Sequence, residues 1–206
     1  YAAAMHSRRM LHATPSLLRQ AERAFMYCHH TRDIGITYSR TPDTNLSSAW
    51  APYTHNDVCG SSDADWCVRR SMSGWEFRFA GGIVAWGAKK QPSIALSTME
   101  AEIMAGSLAA CEAVFLRGIF ADLGHPPTGP TVLYMDNTPA INLSEDPVNH
   151  NKAKHIERRH LHIRELRSRD VIDVRYIKSE QNTADMFTKH LPRARFQTLR
   201  KTIMNK

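Results

Sequence analysis

The feature that most narrows the fold is a change of hydrophobic period at residues 97–100. Before it, apolar residues alternate: Trp75, Phe77 and Phe79 fall on one side of an expected strand over 73–79. At the change, Ser97-Thr98-Met99-Glu100 has the pattern of a capping box, with Ser97 as N-cap and Glu100 reaching back. A long helix is expected from there to near Gly124, with Met104, Leu108, Cys111, Phe115 and Ile119 on one face. A chain that lays down strands first and helices afterwards is limited to a few layered arrangements.

The remaining elements choose among them. Strands are expected at 58–66, 83–86, 131–136 and 171–177, with Gly81-Gly82 as a turn. Asn137 can cap a helix that starts with Thr138-Pro139, and Asn182 another that runs through Lys189. Residues 152–168 form a polar, His- and Arg-rich helix, and 192–204 a basic one. Three meandering strands followed by strand–helix–strand crossovers predict an α/β fold: a mixed five-stranded sheet, three antiparallel strands and then parallel ones, flanked by helices on both faces.

Upstream, Thr14 and Pro15 start an amphipathic helix over 14–30, with Leu18, Ala21, Phe25 and Cys28 at helical spacing. Ile34, Ile36 and Tyr38 alternate as in a short strand over 33–39, and residues 40–49 read as a linker. The expected division is 1–48, then a domain at 49–190, then a basic C-terminal helix at 191–206.

Composition supports a cored protein with a polyanionic partner. The chain has 206 residues, 42% hydrophobic, with a net charge of +7 and a pI near 9.4. Cys28, Cys59, Cys67 and Cys111 form no C-x-x-C pair, and Cys28 and Cys111 fall on apolar helical faces. Reduced, buried thiols in an intracellular protein are expected. Trp66, Trp75 and Trp86 are expected in the core. No apolar run approaches the roughly 20 residues that span a bilayer, so no membrane partner is expected. The start, Tyr1-Ala2-Ala3-Ala4-Met5-His6, lacks a signal-peptide pattern and reads as a piece of a longer chain. Gly81-Gly82 lacks the helix and Lys of a phosphate loop, and no G-x-S-x-G elbow is present.

Chemistry is suggested by acids on otherwise apolar elements: Asp63 in the first strand, Glu102 early in the long helix, Asp136 at the end of the fourth strand, and Asp185 in the first turn of the late helix. Each alone is compatible with a surface residue or a helix-dipole match. Together they suit phosphodiester hydrolysis by two metal ions, because Mg²⁺ prefers carboxylate oxygen and water. Sequence alone does not bring the four together.

A resemblance adds to this reading. Ser62-Asp63-Ala64-Asp65-Trp66, Arg70-Ser71-Met72-Ser73-Gly74, Trp86-Gly87-Ala88-Lys89-Lys90-Gln91-Pro92 and Ala95-Leu96-Ser97-Thr98-Met99-Glu100-Ala101-Glu102 resemble the ribonuclease H domain of copia-type LTR retrotransposons. So do Tyr134-Met135-Asp136-Asn137, Lys154-His155-Ile156 and Ala184-Asp185-Met186-Phe187-Thr188-Lys189, all in family order. Residues 1–48 resemble the end of the reverse transcriptase region that precedes it.

The resemblance implies a ribonuclease H-like fold and an endonuclease that cuts the RNA strand of RNA–DNA hybrids during reverse transcription. It implies two Mg²⁺ ions, with Mn²⁺ able to substitute, and the reverse transcriptase of the same polyprotein as partner. Asp63 would bridge both metals, Glu102 and Asp136 would serve the leaving-group metal, and Asp185 would hold the one that presents water. Asp65 would be secondary, and Glu100 a capping residue. The implied setting is the cytoplasm, in a virus-like particle, or the nucleus.

Three places depart from the pattern. Ser61 stands where an aromatic is usual, Ser179-Glu180-Gln181 fills a loop that carries a His in many cellular ribonucleases H, and Met72 and Met99 replace small polar types. Lys89, Lys90, Lys152, Lys154, Arg158 and Lys189 can track phosphates, and Ser97, Thr98 and Asn137 can meet 2′-hydroxyls. His155, His160 and His162 sit among Arg158, Arg159 and Arg164; with no Cys nearby, a basic face suits them better than zinc. Two rivals stay open: a decayed ribonuclease H-fold module that binds nucleic acid or tethers the polymerase, and a DNA-processing nuclease of the same fold.

Overall fold

The computed structural model describes residues 1–39, 57–145 and 157–204. The expected linker at 40–49 and the boundary at 48 lie outside them, as do Lys152, Lys154 and His155.

Strands β1 (Cys59–Asp65), β2 (Met72–Phe79) and β3 (Gly82–Lys90) form the antiparallel meander. The β2–β3 turn is Ala80-Gly81, one residue ahead of the expected pair. Both residues have positive φ, 51° and 79°, which suits the twist of a two-residue hairpin. Gly82 opens β3 under a close neighbour: a Cβ there would lie 2.6 Å from Tyr38 Cε1 and 2.7 Å from Ile36 Cγ2. Residues 33–39 therefore dock on the hairpin and do not join the sheet as the strand their alternation suggested. Tyr38 Oη donates to Ile83 O at 2.7 Å, and Ser39 N to Ala80 O at 2.8 Å.

Helix α3 (Thr98–Asp122) follows. Ser97 Oγ accepts from Glu100 N at 3.1 Å, while Glu100 Oε2 accepts from Leu96 N at 2.6 Å, one residue before the N-cap. The chain continues through β4 (Thr131–Met135), α4 (Thr138–Glu145), α5 (Glu157–Ser168) and β5 (Ile172–Tyr176). Asn137 Oδ1 caps α4 by accepting from Ala140 N at 2.9 Å. The sheet order is β3-β2-β1-β4-β5, with β1, β4 and β5 parallel, as the element order predicts.

One face of the sheet carries the main core. Phe77, Leu133, Met135 and Val174 meet Ile103, Ala109, Ala110, Ala113 and Leu116 of α3 and Ile163 and Leu166 of α5. The buried stripe of α3 is thus mostly small. Met104 is buried as expected, but Cys111, Phe115 and Ile119 are exposed and Leu108 is half-buried. Close approach explains the lack of bulk at its middle: a Cβ on Gly106 would lie 3.1 Å from Met135 Cε, so a bulky side chain does not fit there, whereas Ile103 and Leu116 are buried towards either end. The bulky residues outside and the alanines inside give an 18-residue window of α3 a mean hydropathy of 1.6, enough by length and composition alone to cross a membrane. Half of that window is buried within the fold, and Glu100, Glu102, Glu112 and Arg117 interrupt the helix, so it holds no unbroken apolar run of the length expected to be missing.

Other placements also differ from expectation. Cys28 and Cys111 are exposed and Cys59 is buried, and none of the four cysteines is in a disulfide. Trp66 and Trp86 lie on the surface, while Trp75 packs against the core. Helix α2 (Pro15–His30) starts as predicted, with Thr14 Oγ1 accepting from Leu17 N at 3.3 Å. Its apolar stripe, however, faces outward, and none of its residues is buried. Together with α1 (Ala2–Ser7) it lies upstream of the sheet, and Tyr27 meets Phe196 edge-on.

The second face of the sheet is covered by α6 (Asp185–Thr188) and α7 (Arg193–Ile203), whose Leu199 and Ile203 are buried. Glu76 and Arg78, the polar side of the β2 alternation, are therefore buried under the chain's end.

Candidate active site

Strand register brings the acids to one end of the sheet. β1 and β4 run parallel with Ser61 opposite Tyr134, and Asp63 and Asp136 each lie two residues beyond that row. Glu102, in the second turn of α3, reaches the same point, where its Oε1 accepts from Ala64 N at 3.3 Å. One oxygen each of Asp63, Glu102 and Asp136 lies within 4.8 Å of the others.

Asp185 arrives from the opposite face at the start of α6. Asn182 pins the preceding loop to β1: its Nδ2 donates to Ser62 O at 3.0 Å and its Oδ1 accepts from Ala184 N at 3.1 Å. Gly74, opposite Asp63 in the ladder, lets α6 settle, because a Cβ there would lie 2.7 Å from Thr188 Cγ2 and 3.0 Å from Ala184 O. Thr188 then donates its hydroxyl to Asp63 Oδ2. Asp185 is not within the three-acid grouping; one lysine separates it. Lys189 Nζ is 2.6 Å from Asp185 Oδ1 and 3.7 Å from Asp63 Oδ2. Arg195 Nη2 is 3.1 Å from Asp185 Oδ2, and its guanidinium also donates to Ser179 O and Glu180 O.

Burial governs the electrostatics. Asp63, 2% exposed, is pushed up to about 7 by desolvation; Lys189 opposes the shift, and the charges of Asp185 and Asp136 add to it. Desolvation raises Glu102 well above the carboxylate range, helped by the charges of Asp63 and Asp136 and offset by the Ala64 N–H. Burial also raises Asp65, against the pull of Lys189. Burial works to lower Lys189, but Asp63 and Asp185 more than offset it and raise it.

The donor set fits a hard divalent cation. It is all carboxylate, with no nitrogen or sulfur ligand within the grouping. Glu102 Oε2 is buried without a hydrogen-bond partner among the described residues, and an unmatched buried carboxylate oxygen is costly. A bound cation would satisfy that oxygen and offset the mutual repulsion.

The residues expected to meet nucleic acid divide. Ser97 and Thr98 start the helix that carries Glu102, and Asn137 follows Asp136. Lys89 and Lys90 are exposed on β3, opposite Ser73 and Met72, beside the Asp63–Gly74–Ala88 row. These five flank the acidic end. Lys154 lies outside the described residues, and of Arg158 only its place in α5 is described. Lys189, expected on a phosphate track, is instead paired with the acids. The view that no Cys lies near the histidines is corrected, since Cys111 Sγ is 3.5 Å from His162 Nε2.

Sequence reasoning missed the residues that hold the acids. Ser179 Oγ donates to Asp136 Oδ2 at 2.7 Å from the loop that departs from the cellular pattern. Thr188 and Lys189 stood inside the Ala184–Lys189 motif, so their spacing from Asp185 was a usable signal. Arg195 carried none beyond the basic character of its helix.

Known proteins resemble the chain in sequence and in fold. No family model matches the chain. In sequence it is similar to the retrovirus-related Pol polyprotein from transposon TNT 1-94 of Nicotiana tabacum, 36% identical over 152 residues, 73% of this chain and 11% of that protein. It is also similar to that from transposon RE1 of Arabidopsis thaliana, 31% identical over 140 residues, 66% of this chain and 10% of that protein. The chain thus spans about a tenth of the length of these relatives. In structure it is similar to LC11-RNase H1, isolated from compost by a metagenomic approach, with a TM-score of 0.51, 14% identity, and coverage of 65% of this chain and 93% of that one. The same protein in complex with an RNA/DNA hybrid matches with a TM-score of 0.50, 14% identity and coverage of 64% and 94%. The chain has a ribonuclease H-like fold and is related to retrotransposon Pol polyproteins.

Proposed function

We propose that this chain is the ribonuclease H domain of a copia-type LTR retrotransposon Pol polyprotein, a two-metal-ion endonuclease that hydrolyses the RNA strand of RNA–DNA hybrids during reverse transcription. The observation that carries the reading is the convergence of Asp63, Glu102 and Asp136 on a ribonuclease H-like sheet, with one Glu102 oxygen buried and unpartnered among the described residues. The copia assignment is supported by the ordered motifs from Ser62 to Lys189. The hybrid substrate is supported by likeness of fold to a ribonuclease H1 whose structure contains one.

Asp63, Glu102, Asp136 and Asp185 are the residues that would hold Mg²⁺, or Mn²⁺ in its place. Bound there, such ions supply Lewis acidity, easing ionisation of the attacking water and neutralising charge on the leaving oxygen. The chain's own work is to fix the oxygens. The Ala64 N–H holds Glu102, the Thr188 hydroxyl holds Asp63, and the Ser179 hydroxyl holds Asp136. Lys89 and Lys90 would meet phosphates, and Ser97, Thr98 and Asn137 would read 2′-hydroxyls; the exposure of the two lysines supports the first role. Residues 1–48 fit the tail of the reverse transcriptase, the partner of the domain within the polyprotein.

The test is substrate choice. The protein is offered a labelled RNA–DNA hybrid, duplex DNA and single-stranded RNA in Mg²⁺. Shortening of the hybrid's RNA strand alone is expected; cutting of duplex DNA in preference to the hybrid would favour a DNA-processing enzyme of the same fold.

A further inference from the structure

Two cations hold Asp185, and they are held differently themselves. Arg195 is anchored, because its guanidinium also donates to the backbone carbonyls of Ser179 and Glu180. Among the described residues, Lys189 pairs with the acids alone: its Nζ lies 2.6 Å from Asp185 Oδ1 and 3.7 Å from Asp63 Oδ2. Asp185 Oδ1 is buried and accepts no other hydrogen bond. The Lys189 side chain is 39% exposed, whereas those of Asp63 and Asp185 are 3% and 7% exposed. A flexible stem therefore delivers one ammonium from the solvent side onto two buried carboxylates, and can withdraw it the same way.

From this geometry we propose that Lys189 is a tethered counter-ion of the metal site: its ammonium holds the Asp63–Asp185 side together in the metal-free protein and leaves for solvent when a divalent cation takes those carboxylates. The inference rests on the metal-binding reading above and adds an exchange step to it. Without Lys189, Arg195 would still hold Asp185, but no cation would stand between it and Asp63, and two buried carboxylates so placed favour a splayed site. With one, the site stays assembled, and metal binding becomes an exchange of one cation for another. Arg195 remains in place on the far oxygen and keeps the loop of Asp185 positioned.

The experiment reads the lysine directly. The protein is reductively methylated without nucleic acid, in EDTA, in saturating Mg²⁺, and in NaCl of matched ionic strength, and each lysine is quantified by mass spectrometry. Lys189 is expected to react several-fold faster in Mg²⁺ than in either metal-free condition, with Lys89 and Lys90 unchanged. Calorimetric titration of Mg²⁺ into the wild type, Lys189→Gln and Asp63→Asn runs alongside. Lys189→Gln is expected to bind several-fold more tightly than wild type, and Asp63→Asn more weakly. Metal binding by the wild type with unchanged Lys189 labelling overturns the counter-ion and leaves the metal site standing. Absence of binding to wild type and variants alike overturns both. Labelling of the wild type needs no variant, so the test survives if Lys189→Gln does not fold.

Discussion

Arg78 Nε lies 2.9 Å from Glu76 Oε2 with neither side chain more than 1% exposed. Buried ion pairs persist when their remaining valences are filled, and these are. Ser61 Oγ and Thr183 Oγ1 donate to Glu76 Oε1 at 3.1 and 2.6 Å, and Arg78 Nη2 donates to Thr183 Oγ1 at 2.8 Å. Arg78 Nη1 also reaches Thr202 O at 3.5 Å, tying α7 to the sheet. The network lies beneath the loop that delivers Asp185.

Removing one partner of this pair should therefore be severe. Arg78→Met leaves Glu76 buried and charged, and is expected to cost about 3–5 kcal/mol. Adding Glu76→Leu removes the stranded charge and should recover a large part of that loss. Urea denaturation of the single and double variants checks it; a single-variant loss within about 0.5 kcal/mol would mean that the network does not hold the fold.

Asp63 sets a pH dependence. Its carboxyl is raised to about 7 from 3.8, so the folded state binds this proton more tightly than the unfolded one. Its contribution to stability is whole below about pH 4, is eroded as pH rises towards about 7, and is lost above that. In EDTA the wild type should thus lose melting temperature relative to Asp63→Asn across that window. Metal affinity should run the other way, because the ligands must ionise to bind. Calorimetric melts of both proteins from pH 4 to 8 decide; parallel profiles would contradict the raised carboxyl.

Glu102→Gln keeps an oxygen for the Ala64 N–H and removes the charge that meets Asp63 and Asp136. Without metal it is expected to be more stable than the wild type at pH 8, by about 1 kcal/mol. Its stabilisation by millimolar Mg²⁺ should shrink, because a ligand is gone. Thermal melts with and without Mg²⁺ measure both effects; an undiminished Mg²⁺ response would remove Glu102 from the ligand set.

Gly74→Ala should separate folding from activity. The new methyl meets Thr188 Cγ2 at 2.7 Å and Ala184 O at 3.0 Å, pushing the segment that carries Asp185 away from Asp63. A loss of about 1–3 kcal/mol is expected, with a larger proportional loss of cleavage. Wild-type cleavage from a folded Gly74→Ala protein would show that the position of α6 is not critical.

Much of this was legible in the sequence. Strand alternation, the Ser97 and Asn137 caps and the element order gave the sheet, and acids on otherwise apolar elements marked Asp63, within the first strand, and Asp136, at the end of the fourth. The face of α3 was misjudged because Leu108, Cys111, Phe115 and Ile119 carry the bulk, whereas the close approach at Gly106 needs a lack of it. The burial of Glu76 and Arg78 was not legible, because nothing local says that α7, over a hundred residues on, returns to cover them. For the same reason Arg195 escaped notice, and Asn182, expected to cap a helix through Lys189, instead accepts from Ala184 N ahead of a helix that starts at Asp185 and pins that loop to β1.

The most direct measurement is cleavage of an RNA–DNA hybrid labelled on both strands, in Mg²⁺, Mn²⁺ or EDTA, by the wild type and Asp63→Asn. The expected result is cutting of the RNA strand alone with either metal, abolished by EDTA and by the substitution while the variant remains folded. Binding of the hybrid with no cutting in either metal, or cutting that survives Asp63→Asn, would contradict the assignment of these acids as the catalytic centre.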